Sequence, residues 1–320
     1  MYKFLVTGGA GFIGSNLCER LVREGHEVRL LDDLSTGKEE NLAGFIDSVE
    51  FIKGDLRNIS TVKKAVKGVD YVVHLGALSS VPMSIEDPLL VFDVNCNGTL
   101  NVLAAAREAA VKKVVYASSC AVYGDGAELP KREDMTPAPL SPYAVSKLTS
   151  EYYCQSFYRS FGLKTVSMRY FNIFGKRQSP DSAYAAVLPK FISALMKNER
   201  PVIYGDGEQT RDFMYVEDCN RANVAACLAD GCAGVSINVG YGASHSINEM
   251  LEKVKKGMGR RVAPVYSGAR AGDIKDSVAS VERLKKVLSF APEFTLDDAV
   301  EQTVGYYLAL ADDGLPRQRG

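Results

Sequence analysis

The stretch Thr7-Gly-Gly-Ala-Gly-Phe-Ile-Gly14 decides the fold of this 320-residue chain. It follows a short apolar run, Lys3 to Thr7, and the residues after it carry apolar side chains at helical spacing. The glycines therefore lie at a turn from a strand into a helix. Gly8, Gly11 and Gly14 permit a tight turn, a close approach of a bound ligand to the backbone, and close packing of the helix on the strand. Because the helix N-terminus offers free N–H groups and a positive dipole end, the stretch predicts a site for the pyrophosphate of a dinucleotide.

A carboxylate stands where such a site needs one. A second apolar run, Val28 to Leu31, ends at Asp32, about 20 residues beyond the glycines. This carboxylate can accept hydrogen bonds from both hydroxyls of an adenosine ribose and would repel a 2′-phosphate, so NAD is predicted rather than NADP. The alternative role of Asp32 is a helix or turn cap, and the glycine turn upstream makes that role the weaker one.

Strand-like and helix-like segments alternate along the first half of the chain. The further strand runs are 49–52, 69–75, 114–117 and 164–169, and the longest helical patterns cover 94–110 and 143–161. This alternation predicts a Rossmann-type doubly wound α/β fold, with a parallel sheet covered on both faces. Ligands of such sheets lie beyond the carboxyl ends of the strands, where we find Gly11, Asp32, Asp55, Ala77, Ser119 and Tyr170. The chain is therefore predicted to be an enzyme or a cofactor binder.

The segment Ser141-Pro-Tyr-Ala-Val-Ser-Lys147 offers a proton-transfer pair. In a helix Tyr143 and Lys147 lie one turn apart on the same face. A free tyrosine has a pKa near ~10, and a neighbouring ammonium lowers it by favouring the phenolate. Ser119 follows a strand and could hydrogen-bond the hydroxyl that Tyr143 deprotonates. Taken alone, Tyr143 could instead pack on the core, Lys147 could be a surface charge and Ser119 could form a turn.

The overall composition narrows the classes of partner. The chain has ordinary globular values of 46% hydrophobic and 24% charged residues. Its net charge of -1 gives no excess of positive charge, so neither nucleic acid nor a membrane is expected as a partner. We see no signal peptide and no apolar run near the roughly 18 residues of a membrane span. The seven cysteines form no Cys-x-x-Cys pair, and the three histidines show no ligand spacing. We therefore expect a cytoplasmic protein with reduced thiols and no metal site.

Further motifs resemble those of one protein family. Asn95-Cys-Asn-Gly-Thr99 and Arg169-Tyr-Phe-Asn172 accompany the glycine stretch, Ser119 and the segment from Tyr143 to Lys147 in the order found in extended short-chain dehydrogenases. Within that group the chain resembles the nucleotide-sugar 4-epimerases of UDP-glucose and UDP-N-acetylglucosamine. The resemblance covers nearly the whole chain, and it implies that Ser119, Tyr143 and Lys147 form a catalytic triad.

The resemblance also implies which residues bind each ligand. For NAD, with Tyr170 on the nicotinamide side, they are Gly8, Gly11, Phe12, Ile13, Gly14, Asp32, Asp55, Leu56, Leu75, Ala77, Asn95, Tyr143, Lys147 and Tyr170. For the UDP-sugar they are Ser79, Ser119, Tyr143, Asn172, Val187, Leu188, Lys190, Tyr204, Arg211, Arg270, Asp273 and Ser277. Arg211 and Arg270 would hold the diphosphate, because a guanidinium suits bidentate phosphate contact, and Asp273 would bind a ribose hydroxyl. Surface ion pairs are the alternative role for both arginines.

The alternation of strands and helices ends after Asn172, where a polar stretch rich in turn residues begins. We therefore predict an NAD-binding Rossmann domain over 1–172, joined by a returning segment near 212–240. Residues 173–320 would mainly form a smaller substrate domain for the nucleotide sugar.

Together these features predict an NAD-dependent epimerase that inverts C4 of a UDP-hexose through a 4-keto intermediate. The resemblance places Ser277 beside the C2 substituent of the sugar, where a small residue leaves space for an acetamido group. The predicted substrates are therefore UDP-GlcNAc and UDP-GalNAc, together with UDP-Glc and UDP-Gal. The resemblance further implies a homodimer paired through the helices predicted at 94–110 and 143–161.

Four alternatives stay open at this point. The protein could act only on UDP-glucose and UDP-galactose, or it could process a UDP-glucuronate and need a cation for the sugar carboxylate. It could be a 4,6-dehydratase, although that group carries an Asp-Glu pair where Cys120 and Ala121 stand here. A non-catalytic NAD-binding regulator tends to lose the tyrosine or the lysine, and both are present.

Overall fold

The structure is a computed structural model that describes residues 1–180, 187–268 and 275–312. Its main sheet consists of β1 (Lys3–Thr7), β2 (Glu27–Asp32), β3 (Val49–Lys53), β4 (Tyr71–His74), β5 (Lys113–Ser119), β6 (Thr165–Tyr170) and β11 (Val235–Val239). The strand order is β11-β6-β5-β4-β1-β2-β3, and every neighbouring pair is parallel. This is a Rossmann-type doubly wound sheet, and it confirms the predicted fold class.

Helices cover both faces of this sheet. They are α1 (Phe12–Arg23), α2 (Ile59–Val66), α3 (Val81–Glu86), α4 (Pro88–Phe92), α5 (Gly98–Glu108), α6 (Pro142–Phe161) and α8 (Val216–Leu228). α1 packs against α8 on one face, and α2, α5 and α6 pack together on the other. Successive strand residues point to opposite faces, so in β1 Phe4 and Val6 join the core under α1 while Leu5 joins the core under α2. Both faces of the strand are therefore apolar, as a parallel sheet requires.

The second half of the chain adds short paired strands and further helices. These elements are β7 (Asn172–Phe174), α7 (Val187–Met196), β8 (Val202–Tyr204), β9 (Thr210–Arg211), β10 (Phe213–Tyr215), β12 (His245–Ser246), α9 (Ile247–Gly257), β13 (Val265–Ser267), α10 (Glu282–Leu288) and α11 (Leu296–Asp312). β7 pairs with β10, β8 with β13 and β9 with β12. The segment that returns to the main sheet contains α8 and β11, while the domain boundary after residue 172 stays a prediction.

The helix predicted over 94–110 has a different structure at its start. Regular α-helix begins only at Gly98, after a π-helical turn at Asp93–Asn97 that continues from α4. Local widening of this kind is frequent at functional sites. The amide of Asn95 explains the distortion here, because it points into the protein and hydrogen-bonds the backbone of Leu78.

The helical run Pro88–Glu108 also corrects an expectation about membranes. Within the described ranges it is long and apolar enough, by length and composition, to cross a membrane. The run was not evident from the sequence because Asp93, Asn95 and Asn97 interrupt its apolar residues. Half of the run is buried inside the fold, where it packs against α2 and α6, so the core explains its buried apolar residues.

Candidate active site

The glycine turn has the geometry expected of a phosphate cradle. Gly8 has φ of +67°, a conformation that favours glycine, and a Cβ on Gly14 would lie 2.0 Å from the carbonyl oxygen of Gly8. α1 begins directly after Gly11, and no side chain from the described part of the chain caps its N-terminus. The first N–H groups of α1 are therefore available to an anion, which fits a pyrophosphate at this position.

Asp32 ends β2 beside this turn and is 7% exposed. One carboxylate oxygen accepts the N–H of Ala10 at 2.9 Å, and the other accepts the N–H of Leu34 at 2.8 Å. Burial raises the pKa of Asp32, and these two N–H donors oppose the rise. Because a carboxylate oxygen can accept more than one hydrogen bond, the side chain can still receive two ribose hydroxyls.

The other residues predicted to bind NAD follow the same edge of the sheet, which we call the carboxyl edge. Asp55 and Leu56 lie just beyond β3, Leu75 and Ala77 follow β4, and Tyr170 ends β6. Phe12 and Ile13 form the first turn of α1. The parallel strands thus bring the predicted NAD residues to one edge.

Two of these residues have polar groups that contact the protein itself. The guanidinium of Arg57 donates to the carboxylate of Asp55, with Nε 2.9 Å from Oδ2, and this hydrogen bonding lowers the pKa of Asp55. The hydroxyl of Tyr170 donates to Asn223 on α8 at 2.7 Å. The predicted nicotinamide contact of Tyr170 would therefore involve its ring rather than its hydroxyl.

Asn95 connects the loop after β4 to α6. Its Oδ1 accepts the N–H of Leu78 at 2.8 Å, and its Nδ2 donates to the carbonyl of Leu78 at 3.1 Å and to Oγ of Ser146 at 3.0 Å. The side chain is 1% exposed. The contacts of Asn95 therefore assign it to holding the loop after β4 against α6.

The structure brings Ser119, Tyr143 and Lys147 together at the carboxyl edge. α6 begins after Ser141, whose Oγ accepts the N–H of Ala144 at 3.2 Å. This start places Tyr143 in the first turn and Lys147 one turn later, with Nζ 5.9 Å from the centre of the Tyr143 ring. Ser119 ends β5, and its side chain acts on Tyr143 to lower the pKa of the phenol.

The pKa of Tyr143 shifts in the opposite direction from the prediction. Burial raises the pKa of Tyr143 to about 12, and the hydrogen bond with Ser119 opposes the rise without cancelling it. Burial also lowers the pKa of Lys147 to about 8. The Lys147 ammonium donates to the carbonyl of Ala117 at 2.8 Å. The predicted lowering of the tyrosine pKa was wrong for the polypeptide itself, because loss of hydration is the largest cause acting on Tyr143 and raises its pKa.

Five of the predicted substrate residues line one cavity. They are Asn172, Val187, Leu188, Tyr204 and Arg211. Sequence reasoning missed the other side chains of this lining, which include Gln209, Phe213 and Ile247. Gln209 precedes β9, Phe213 lies in β10 and Ile247 begins α9, so the three side chains meet at the cavity only in the folded chain.

Three further substrate predictions, Lys190, Ser79 and Ser277, lie within the described residues. Lys190 is half-buried in the first turn of α7, and Ser79 is exposed after β4. Ser277 is 8% exposed, and its N–H donates to the carbonyl of Thr210 at 3.2 Å, next to Arg211. The second predicted clamp, Arg270 and Asp273, lies outside the described residues.

Asp212, which follows Arg211, organises this region, although sequence reasoning assigned it no role. It is fully buried, and its carboxylate accepts three backbone N–H groups: from Tyr241 at 2.6 Å, from Gly242 at 3.0 Å and from Ala279 at 3.0 Å. Burial raises its pKa, and these donors oppose the rise. One carboxylate thereby joins β9, the loop after β11 and the segment that contains Ser277.

Comparison with known proteins agrees with this geometry. Residues 4–240 match the NAD dependent epimerase/dehydratase family. The chain belongs to this family. Its cofactor is accordingly NAD, as Asp32 and the glycine turn predicted.

Three relatives cover almost the whole chain. A UDP-glucose 4-epimerase of Mycolicibacterium smegmatis (strain ATCC 700084 / mc(2)155) is 37% identical over 95% of this chain and 98% of its own length. The structure of UDP-N-acetylglucosamine 4-epimerase from Methanobrevibacter ruminantium M1 in complex with UDP-N-acetylmuramic acid is 41% identical, with a TM-score of 0.92 over 96% of this chain and 98% of that one. The crystal structure of the UDP-glucose 4-epimerase of Thermus thermophilus in complex with NAD is 37% identical, with a TM-score of 0.86 over 96% and 99%.

Removing the carboxylate of Asp32 should weaken NAD binding and relax the rejection of NADP. We expect NAD affinity to fall about 10- to 100-fold in Asp32→Ala, because hydrogen bonds to a charged group are lost. Isothermal titration with NAD and with NADP measures both effects. Asp33→Ala is the matched control, since it removes an exposed carboxylate one residue away. Equal affinity of the wild type for the two cofactors would contradict the role of Asp32.

Proposed function

We propose that this protein is an NAD-dependent epimerase that inverts C4 of a UDP-hexose through a 4-keto intermediate. One observation carries the proposal. Tyr143, Lys147 and Ser119 meet at the carboxyl edge, in the same fold that presents the glycine turn and the cavity lined by Arg211. The glycine turn would thus bind the cofactor and the cavity would bind the substrate, with the proton-transfer pair Tyr143 and Lys147 between these two sites.

Tyr143 is the proposed general base in this reaction. Its phenolate would take the proton of the sugar 4-hydroxyl, and Ser119 would hydrogen-bond the same hydroxyl. Bound NAD supplies the hydride acceptor and donor, together with a positive ring charge. Since the pKa of Tyr143 is raised to about 12, chiefly by burial, ionisation of Tyr143 requires nearby positive charge, and Lys147 contributes to that charge only while it is protonated.

The residues after Ser119 favour epimerisation over dehydration. A 4,6-dehydratase needs an acid–base pair to eliminate water, but Cys120 and Ala121 follow the serine here. Burial raises the pKa of Cys120 to about 11, so this thiol stays neutral at physiological pH and is a poor base.

We infer that the substrates are UDP-GlcNAc and UDP-GalNAc, together with the UDP-Glc and UDP-Gal pair. The small side chain of Ser277 supports this inference, as does the identity of 41% to a UDP-N-acetylglucosamine 4-epimerase. Arg211, with Arg270, is proposed to bind the diphosphate, and Asp273 a ribose hydroxyl. We further propose a cytoplasmic location, in keeping with a nucleotide-sugar substrate.

A homodimer is the proposed assembly. Large exposed apolar side chains occur on α3, α4 and α6, namely Ile85, Leu89, Phe92, Val145 and Tyr152, and Leu89 is 82% exposed. α6 was one of the two helices expected at the interface. The other exposed residues lie on α3 and α4, just before the predicted helix 94–110, and both helices pack against α6. A second copy of the chain would cover this apolar surface.

The activity itself can be tested with purified protein and a single substitution. We expect the wild type to carry NAD and to interconvert the UDP-sugar pairs without net release of NADH. Tyr143→Phe should lower kcat about 10²- to 10⁴-fold, because it deletes the base, while NAD binding and the unfolding temperature stay unchanged. Tyr158→Phe is a control outside the site. Near-normal turnover by Tyr143→Phe would refute the proposed base.

The sugar preference can be tested by adding bulk at Ser277. Ser277→Tyr should lower kcat/KM for UDP-GlcNAc about 10- to 100-fold and spare UDP-Gal, because a ring in this buried position competes with the acetamido group for space. Ser277→Ala controls for the loss of the hydroxyl. Equal damage to both substrate pairs, or a wild type that turns over only UDP-Glc and UDP-Gal, would show that Ser277 is not the gate.

Charge placed on the apolar surface should dissociate the proposed dimer. We expect light scattering at micromolar concentration to give twice the monomer mass for the wild type and the monomer mass for Leu89→Asp/Phe92→Asp. Leu308→Asp, on α11, is the control and should leave the mass unchanged. A monodisperse wild-type monomer would exclude this interface.

A further inference from the structure

We propose that Glu151 is a positioning residue of this active site, which holds α6 in register with the strands that carry the catalytic groups. The proposal rests on the proposed epimerase function. It concerns a carboxylate that touches neither the glycine turn nor the substrate cavity, and that no motif in the sequence marked.

Glu151 lies on α6, one turn beyond Lys147. It follows Lys147 by four residues and Tyr143 by eight, so all three lie along one side of α6. Its side chain is fully buried, and α6 packs there against β5 and β6. Glu151 thus lies beneath the site, on the sheet side of the helix.

One carboxylate contacts three adjacent strands. Oε1 of Glu151 accepts the hydroxyl of Ser118 on β5 and Nε of Arg169 on β6 at 2.9 Å. Oε2 accepts Nη2 of Arg169 at 2.8 Å and the hydroxyl of Ser236 on β11 at 3.0 Å. A sliding or rotation of α6 against the sheet would break several charge-assisted hydrogen bonds at once.

The strand partners of Glu151 directly precede site residues. Ser118 precedes Ser119 and Arg169 precedes Tyr170, and within the sheet Ser118 is the register partner of Arg169. The same carboxylate therefore fixes the strand ends that present Ser119 and Tyr170, and the helix that presents Tyr143.

Stability alone does not explain this ion pair. Glu151 is fully buried and Arg169 is 4% exposed, so both charges have lost their hydration, and Nη1 of Arg169 has no hydrogen-bond partner among the described residues. Well-packed apolar residues in place of a buried ion pair are often as stable or more stable. A charged group retained in the core next to a catalytic site points to a requirement for fixed geometry.

The charge of Glu151 also acts on Lys147. Burial lowers the pKa of Lys147, and the negative potential of Glu151 opposes that effect. The other titratable groups around this ammonium come from four elements: Cys96 in the π-helical turn, His74 on β4, Tyr116 on β5 and Tyr143 on α6. His74 is neutral at physiological pH because burial lowers its pKa to about 3. Glu151 thus favours the protonated lysine that the proposed mechanism requires.

The test is Glu151→Gln, which keeps the shape of the side chain and removes its charge. We expect kcat to fall about 10- to 100-fold through misplacement of Tyr143 and Ser119, with KM within about twofold of the wild type. Activity is lost as pH rises through the pKa of Lys147, and without Glu151 that pKa falls. The alkaline limb of the pH profile should therefore move to lower pH. Ser118→Ala is a milder second variant and should lower kcat in the same direction.

Two further variants separate positioning from stability. Asp218→Asn is the matched control, since this buried carboxylate binds Arg221 and the backbone N–H groups of Glu293 and Phe294; it should lower the unfolding temperature without moving the pH profile. The double variant Glu151→Met/Arg169→Met should recover stability but not kcat. Wild-type kcat and pH profile in Glu151→Gln, or a double variant that regains both stability and activity, would overturn the proposal.

A readout that needs no turnover separates this inference from the proposed function. Competitive acetylation followed by mass spectrometry titrates Lys147 directly in the wild type and in Glu151→Gln. A lower pKa of Lys147 in the variant supports the proposal even if no UDP-sugar is turned over, a result that would refute the epimerase assignment alone. An unchanged pKa of Lys147 would refute the action of Glu151 on Lys147.

Discussion

Every strand of the main sheet runs in the same direction, and this constraint determines where the chemistry can occur. In a parallel sheet the carboxyl ends meet at one edge, and the chain leaves each strand there through a loop. Asp32, Ser119 and Tyr170 each end a strand, so residues far apart in sequence lie along the same edge of the sheet. A dinucleotide site also requires a helix N-terminus at this edge. The close approach of Gly8 and Gly14 provides it, since it lets α1 begin here with its first N–H groups available.

The same burial that excludes water from the site works against its charges. It favours neutral tyrosine and neutral lysine, which is the opposite of the phenolate and ammonium pair that proton transfer needs. Charged groups in the protein and in the bound cofactor must therefore restore ionisation. The negative potential of Glu151 opposes the fall in the pKa of Lys147, and we propose that the bidentate pair of Glu151 with Arg169 also resists movement of α6.

Much of this arrangement could be predicted from the sequence because it depends on local patterns. The glycine spacing, the apolar strands and the pair Tyr143 and Lys147 are short-range signals, and the structure places them as expected. The π-helical turn around Asn95 could not be predicted, because its cause is a hydrogen bond to Leu78 from a distant loop. The direction of the Tyr143 pKa shift was wrong for a related reason: spacing reveals a neighbouring charge but not the loss of hydration around both groups.

The proposed choice of sugar depends on a different part of the molecule from the proposed reaction. The structures of a UDP-N-acetylglucosamine 4-epimerase and of a UDP-glucose 4-epimerase superpose on this chain with TM-scores of 0.92 and 0.86, so the fold does not discriminate between their substrates. The proposed base and cofactor residues lie at strand ends and helix starts, where a change would disturb the sheet. Ser277 instead lies in a segment attached to β9 through Thr210 and to Asp212 through Ala279. Its side-chain volume can change while these backbone contacts persist, so the proposed catalytic framework would be compatible with different sugars.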